Sequence, residues 1–229
     1  MQPIVVFSGS GLSAGAGLAT FRGADGLWRQ HDPLTLATPQ AWQTNTQLVT
    51  EFYNERRALA WKAQPTAAHR AIARLESRYP VQIITQNVDD LHERAGSSAV
   101  IHLHGVLDRV RSTADASNKR WMHGEAVDLN ERAADGGQWR PDVVWFGESV
   151  LGFSEAEVAM AAADKVLVVG TSLTVQPAAS LLTLAADKAT KVIINAEPVP
   201  VHSGFELILG NADECLPDLV EQWLSAEQR

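Results

Sequence analysis

The sequence predicts an α/β fold: a parallel sheet covered by helices, with a smaller module inserted into it. Three observations carry that expectation. Short, continuously apolar runs rich in β-branched residues recur along the chain, helical patterns separate them, and each run ends on Gly, Ser, Thr or Asn. Strands buried on both faces read as unbroken apolar runs, and helices between them supply the crossovers that parallel strands need.

The elements follow in order. The first strand is read at 4–7, "IVVF", and runs into the glycine-rich "FSGSGLSAGAG" at 7–17. Residues 31–64 read as helical and polar, and Pro65 ends them. A helix is expected at 66–78 and a second strand, "VQIIT", at 81–85. Residues 106–139 have no strong period and carry many charges. A helix at 154–164 leads to the strand "VLVVG" at 166–170, a helix at 177–188 leads to "KVIIN" at 191–195, and a last helix covers 216–227. Residues 1–30, 65–105 and 140–229 are thereby assigned to the sheet domain. Residues 31–64 and 106–139 are assigned to the inserted module, expected to be mainly helical or irregular. Ligands of open parallel sheets bind beyond the carboxyl ends of the strands. Here those ends read "SGSG", "TQNVDD", "GTSL" and "NAEP", all polar and all expected at one crevice.

Bulk properties narrow the function. The 229 residues carry a net charge of −8, which argues against non-specific nucleic-acid binding. The one cysteine, Cys215, excludes an internal disulfide and any cysteine-based zinc site, and fits a reducing compartment. No apolar stretch is long enough to span a membrane, and "MQPIVVFSGSG" does not read as a secretory leader. The expected location is cytoplasmic.

The opening loop has two readings. Residues 11–15 spell G-x-S-x-G, the nucleophile elbow of serine hydrolases, and residues 9–14 spell G-x-G-x-x-A, a dinucleotide turn. The elbow needs an oxyanion hole from a loop after an earlier strand, and only eight residues precede Gly9. It also needs a late histidine, and after His123 there is only His202, in a loop-like stretch. A P-loop would need Gly-Lys-Ser/Thr after the glycines, which is missing. Strand, glycine turn and helix fit a pyrophosphate at a helix N-terminus. The acid that dehydrogenases place about 20 residues on is also missing, since Asp32 lies in "RQHDPL". The expectation is a dinucleotide bound otherwise than for hydride transfer.

Six stretches then become recognisable: "GSGLSAGAGLATFRGADGLW" (9–28), "TQNVDDLHERAG" (85–96), "HLHG" (102–105), "RPDVVWFGE" (140–148), "GTSLTVQPAA" (170–179) and "INAEP" (194–198). In sequence and in order they resemble the sirtuins, NAD-dependent protein lysine deacylases. The resemblance implies a Rossmann-like domain with a smaller inserted one, NAD as cofactor, and acylated lysine in a protein or peptide as substrate. It places Gly9, Ser10, Gly11 and Ser13 at the NAD phosphates, Ala14 among the cofactor contacts, and Phe21 and Arg22 on a loop over the nicotinamide end. Gln86, Asn87 and Asp89 match the "TQN-x-D" motif, whose Asn positions the ribose and water and whose Asp accepts a hydrogen bond from nicotinamide. His104 matches the general base, and Val144 and Phe146 the acyl-lysine pocket. Gly170, Thr171 and Ser172 match phosphate and ribose contacts, Asn195 and Glu197 adenosine ribose contacts, and Ala212 a further cofactor contact. The implied products are nicotinamide, free lysine and O-acyl-ADP-ribose, with no protein nucleophile. Read alone, "HLHG" is a strand end and Asn87 and Asp89 are turn residues. Their ordered co-occurrence carries the functional reading.

"EFYNERR" (51–57) puts Tyr53 and Arg56 three apart on one helix face. The pair resembles the Tyr-x-x-Arg of sirtuins that remove succinyl, malonyl and glutaryl groups, and a guanidinium beside a phenol suits a carboxylate. Deacetylation and mono-ADP-ribosyl transfer stand as alternatives, as does a non-catalytic NAD-binding module. The retained His104 disfavours the last two, and the Tyr53/Arg56 pair also disfavours ADP-ribosyl transfer. The chain departs from many sirtuins in two places. It reads "GLATF" where many have Ile-Pro, and residues 106–139 hold no cysteine, with His123 as the one soft ligand there. No four-cysteine zinc site can form, no other metal is expected, and tryptophan packing by Trp42, Trp61, Trp121 and Trp139 is expected to staple the module instead.

Overall fold

The computed structural model describes residues 2–21 and 26–226. Its strands are β1 (Ile4–Ser8), β2 (Val81–Thr85), β3 (Val100–His102), β4 (Gly105–Ser112), β5 (Lys119–Trp121), β6 (Trp139–Val143), β7 (Lys165–Val169), β8 (Thr190–Asn195) and β9 (Glu206–Leu209). Its helices are α1 (Leu27–Gln30), α2 (Pro33–Leu36), α3 (Pro39–Thr44), α4 (Thr46–Lys62), α5 (Ala67–Arg74), α6 (Leu91–Arg94), α7 (Phe153–Ala162) and α8 (Ala212–Ser225). Among the described residues, one sheet has the order β3-β2-β1-β7-β8-β9, parallel at every pairing. That is the doubly wound order of a Rossmann fold, with the reversal of direction at β1.

The unbroken apolar runs are explained by the pleat. Along β1, Ile4 and Val6 face one way and Val5 and Phe7 the other. Ile4 and Val6 join Ile83, Leu167 and Ile194 beneath α5 and α8, through Ile72, Leu216 and Val220. Val5 and Phe7 join Ile84, Val166, Val168 and Ile193 beneath α7, through Ala156 and Met160. Each such fully buried aliphatic side chain contributes about 1.5–3 kcal/mol over leaving it in water.

Some elements differ from their expected form. The 177–188 segment forms a 3₁₀ helix, Ala178–Leu184, not an α-helix. The last helix starts at Ala212, earlier than the expected 216, because Asn211 caps it by accepting from the Asp213 N–H. Strands β3 and β9 were not anticipated; they are short edges of three and four residues.

Residues 106–139 required the largest correction. They contribute to an antiparallel sheet, β5-β4-β6, where an irregular module was expected. The alternation is masked by a register shift between Gly105 and Val110 and by the three-residue length of β5. Many of its charges have a partner inside the sheet. The wholly buried carboxylate of Asp142 receives Arg109 Nε at 2.6 Å and Lys119 Nζ at 3.2 Å. Beneath lies a small apolar core of Val110, Met122, Val127, Ala133 and Trp139. Among the described residues no three His, Cys, Asp or Glu side chains are grouped so as to hold a metal ion.

The four tryptophans expected to staple the module differ in their surroundings. Trp139 is in that core, Trp42 packs on Trp145 in a tilted arrangement at 5.7 Å, and Trp61 covers the His123 turn at 5.8 Å. Trp121 is 52% exposed, with the Arg109 guanidinium 5.3 Å from its ring. The stronger link between the module's two segments is polar. Arg57, wholly buried on α4, donates from Nε to the Leu107 carbonyl at 2.9 Å and from Nη1 to Asn54 Oδ1 at 2.7 Å and the Glu125 carbonyl at 3.3 Å. Asn54 in turn exchanges two hydrogen bonds with the backbone of Val127. Removing the guanidinium leaves these acceptors buried and unmet, so Arg57→Leu should cost about 3 kcal/mol or more. Trp121→Ala should cost less than about 1 kcal/mol, as exposed substitutions do. Urea unfolding of the two variants measures both, and equal losses would place the staple elsewhere.

Candidate active site

β1 pairs in parallel with β2 on one side and β7 on the other, so Ser8, Thr85 and Val169 end at one level. The chain after each strand must diverge there. After β1 it turns into a 3₁₀ helix, Ser10–Ala16, and after β7 it passes through Gly170 at φ +63°. The two turns interlock: the Gly9 N–H donates to the Val169 carbonyl at 3.0 Å and the Gly11 N–H to the Gly170 carbonyl at 2.8 Å. A Cβ on Gly11 would stand 2.8 Å from Gly170 Cα. This is the close backbone approach that a pyrophosphate cradle needs, with a helix N-terminus just beyond the strand. The residues present therefore fit the phosphates of a dinucleotide.

The loop after β2 closes the crevice. Gln86 Nε2 donates across it to Thr171 Oγ1 at 2.9 Å, and the Gln86 N–H donates to the Ser8 carbonyl at 2.9 Å. Asn87 is 3% exposed; its N–H donates to Thr85 Oγ1 at 3.0 Å and its Nδ2 to Ser13 Oγ at 3.1 Å. Ser13 passes the chain on, donating to Asp89 Oδ2 at 3.0 Å. The sequence suggested a phosphate partner for Ser13, whereas here its hydroxyl joins Asn87 to Asp89. Burial raises the Asp89 carboxyl, against hydrogen bonds from Leu91 and Ser13.

His104, half-buried, has its Nδ1 3.0 Å from the Gln86 carbonyl. A carbonyl only accepts, so Nδ1 carries the proton and Nε2 keeps its lone pair. Burial holds this imidazole below its ordinary pKa, so it is neutral and basic near pH 7. Its carbonyl accepts from the Val144 N–H at 2.9 Å, which ties the β6 end to the site.

A pocket joins Ser10, Ser13, Phe21, Arg56, Asn87 and Asp89. Arg56 lies over the Phe21 ring at 5.1 Å and the Phe52 ring at 5.5 Å, and among the described residues it has no carboxylate in ion-pair contact. Tyr53 is buried beside Trp145, whose Nε1–H donates to the phenol oxygen at 3.0 Å. Its own O–H has no acceptor among the described residues. Phe146 is 42% exposed, 6.3 Å from Trp28. Ser172 bonds Thr174 at 2.9 Å, and Asn195 Nδ2 donates to the Glu197 carbonyl at 2.8 Å at the end of β8. Ala14 is exposed on the 3₁₀ helix and Ala212 opens α8. Arg22 lies outside the described residues.

The sequence reading missed a buried layer under this loop. His92 Nε2 is 2.9 Å from Ser8 Oγ, which donates to Thr85 Oγ1 at 2.8 Å, the acceptor for Asn87. His69 packs on His92 at 5.2 Å. The missed signal was "LHER", a histidine at a core-facing helix position directly after the motif.

Two predictions follow from this geometry. Gly11→Ala forces the two turns apart and should weaken NAD binding about tenfold or more, since close backbone approach is lost. Calorimetric titration with NAD reads this, and unchanged affinity would show that the cradle tolerates a side chain. Burial lowers His69 to about 4 and His92 to about 3. Unfolded histidine titrates near 6.5, so the unfolded chain takes up these protons first. The resulting stability is present above about pH 6.5 and is lost as pH falls toward 4, by about 2 kcal/mol or more between pH 7 and pH 5. Urea midpoints that coincide at the two pH values would contradict it.

Comparison with known proteins agrees with this geometry. The Sir2 family model matches residues 9–177. An "NAD-dependent protein deacylase" of Helicobacter pylori is 47% identical over 222 residues, 96% of each chain. A Bacteroides thetaiotaomicron protein of the same name is 41% identical over 208 residues, 89% of each chain. Among solved structures, a Sir2 homologue in complex with NAD has a TM-score of 0.89 at 39% identity, covering 98% of this chain and 90% of that one. A Sir2–p53 peptide–NAD+ complex has a TM-score of 0.83 at 27% identity, covering 96% of this chain and 92% of that one. On the match of the family model and of these relatives along nearly their whole length, the chain belongs to the Sir2 family.

Proposed function

We propose that this NAD-dependent protein deacylase prefers lysines bearing acidic acyl groups, succinyl, malonyl or glutaryl, over acetyl-lysine. The coarser activity, NAD-dependent deacylation, rests on the family and on relatives 41–47% identical. The acyl preference rests on one observation: Arg56 lines the pocket with Asn87 and Asp89, held by two phenyl rings and with no carboxylate paired to it among the described residues. Nearby, the Tyr53 O–H also lacks an acceptor among the described residues. A guanidinium and a phenol with unspent donors suit the terminal carboxylate of a succinyl group.

When bound, NAD would supply the ribose, whose anomeric carbon releases nicotinamide to the acyl amide oxygen and whose hydroxyl finally carries the acyl group as O-acyl-ADP-ribose. The glycine turns at Gly9–Gly11 and Gly170–Thr171 hold its phosphates, with Ser10 and Ser172 beside them, and Asn195 and Glu197 hold the adenosine ribose. Phe21 and Asp89 line the nicotinamide end, with Gln86 and Asn87 fixing the ribose. His104 takes a proton at Nε2 from a ribose hydroxyl, because Gln86 has already committed Nδ1. Val144 and Phe146 flank the acyl-lysine.

A charge-assisted contact is worth about 1.5–3 kcal/mol, which sets a preference of roughly ten- to a hundred-fold. Nicotinamide release should therefore be faster with succinyl, malonyl or glutaryl peptides than with an acetyl peptide. Arg56→Met should lose kcat/KM on succinyl peptide about tenfold or more while the acetyl value changes little. His104→Ala serves as the inactive control. Equal losses on both substrates would leave plain deacetylation as the better reading.

A further inference from the structure

Two histidines, two residues apart, treat two successive carbonyls alike and differ in one neighbour. His104 Nδ1 lies 3.0 Å from the Gln86 carbonyl and His102 Nδ1 3.1 Å from the Asn87 carbonyl. Only His102 has a carboxylate on its other side, with Nε2 2.7 Å from Glu93 Oε1. A ring set between two acceptors needs a proton on each nitrogen, so His102 is an imidazolium here while His104 is neutral.

We propose that His102 is a positioning residue for deacylation: its imidazolium ties the Asn87 carbonyl to Glu93 and so fixes the Asn87 side chain in the site. The proposal rests on the role given above to Asn87. With the Asn87 N–H on Thr85 Oγ1 and its amide on Ser13 Oγ, the carbonyl is the remaining polar group, and His102 holds it. Loss of that bond frees the peptide after Asn87 to turn.

The clamp depends on pH through its neighbours. The groups facing the ring are Glu93 on α6, Asp89 in the loop and His92 on α6. Burial pulls His102 down, but Glu93, the Asn87 carbonyl and Asp89 carry it above its ordinary value. Glu93, raised by burial, is carried below its own ordinary value by His102. His92, held down to about 3 by its burial, adds no charge near neutrality. When His102 loses one proton, the carboxylate is the stronger acceptor and keeps the remaining N–H. The Nδ1 lone pair then faces the Asn87 carbonyl and the clamp opens. In Glu93→Gln the side-chain amide can donate to Nε2, so a neutral ring keeps its proton on Nδ1 and the clamp stays shut.

The test is kcat against pH with an acylated peptide, beside imidazole ¹⁵N spectra of the NAD-free enzyme. Wild-type kcat should fall about tenfold on the alkaline side, and this limb should vanish in Glu93→Gln. His102→Asn, whose amide can occupy the Nδ1 position, should keep kcat within about threefold and lack the limb, whereas His102→Leu should lose about tenfold in kcat with KM for NAD little changed. The spectra should place the last proton on Nε2 in the wild type and on Nδ1 in Glu93→Gln. A wild-type profile flat on the alkaline side, a limb that persists in Glu93→Gln, or equal losses in the Asn and Leu variants would overturn the proposal. So would a wild-type ring that keeps Nδ1 protonated throughout. Failure of every acyl peptide to release nicotinamide would count against the reading of the site instead, and the ring spectra would still decide the clamp.

Discussion

The site depends on β1 being flanked in parallel by β2 and β7. Parallel pairing brings three strand ends to one level, and the chain must leave them in different directions because the next helices lie on opposite faces of the sheet. The gap so opened is floored by backbone, since Gly9 and Gly11 donate to the far turn. A larger residue at Gly11 would meet Gly170, so the crevice is narrow at its base because both walls lack side chains. The polar loops Gln86–Asp89 and Thr171–Ser172 follow at its rim. Topology thus gathers the candidate residues before any of them contributes chemistry.

The second constraint is that these polar groups are buried. Ser8, Ser13, Thr85, Asn87 and His92 are each 3% exposed or less. Each would cost free energy if unpaired, so they are paired with one another in two chains, Asn87–Ser13–Asp89 and His92–Ser8–Thr85. Both chains meet at Asn87, one at its amide and the other at its N–H. A residue held at both ends has few alternative rotamers, and a site so fixed spends little on ordering when ligand arrives. The buried histidines are the cost of this arrangement, because they must stay neutral.

Much of this was legible in the sequence, for definite reasons. A strand buried on both faces has no polar position to disguise it, so β1, β2, β7 and β8 stood out as apolar runs. The strand ends were legible because glycine and short polar residues replace the apolar ones abruptly. The antiparallel sheet was not, because its register shift interrupts alternation and its charged residues find partners only in three dimensions, at Asp142. The protein partners of Ser13, Asn87 and Asp89, were hidden because they are 74 and 76 residues away. Arg57 was invisible for the same reason. A buried guanidinium satisfied largely by carbonyls looks, in sequence, like any other helix-surface arginine.

Arg56 and Arg57 are adjacent and solve opposite problems. Arg57 turns inward, and its Nε and Nη1 donate to Leu107, Glu125 and Asn54. Arg56 faces the pocket with the Phe21 and Phe52 ring faces against it and, among the described residues, no paired carboxylate. Cation–π contacts stabilise such a charge by about 0.5–2 kcal/mol, less than a paired carboxylate gives in a desolvated setting. Burial accordingly lowers its pKa, and Tyr53, Glu55 and Asp89 offset that only through space. A half-buried cation left in this condition is stabilised further by any ligand that brings the missing anion. An acetyl group has none to bring, whereas a succinyl group ends in one. Among the described residues the fold withholds from Arg56 the carboxylate that it gives to Arg109, Arg111 and Arg140, and the proposed acyl preference rests on that difference.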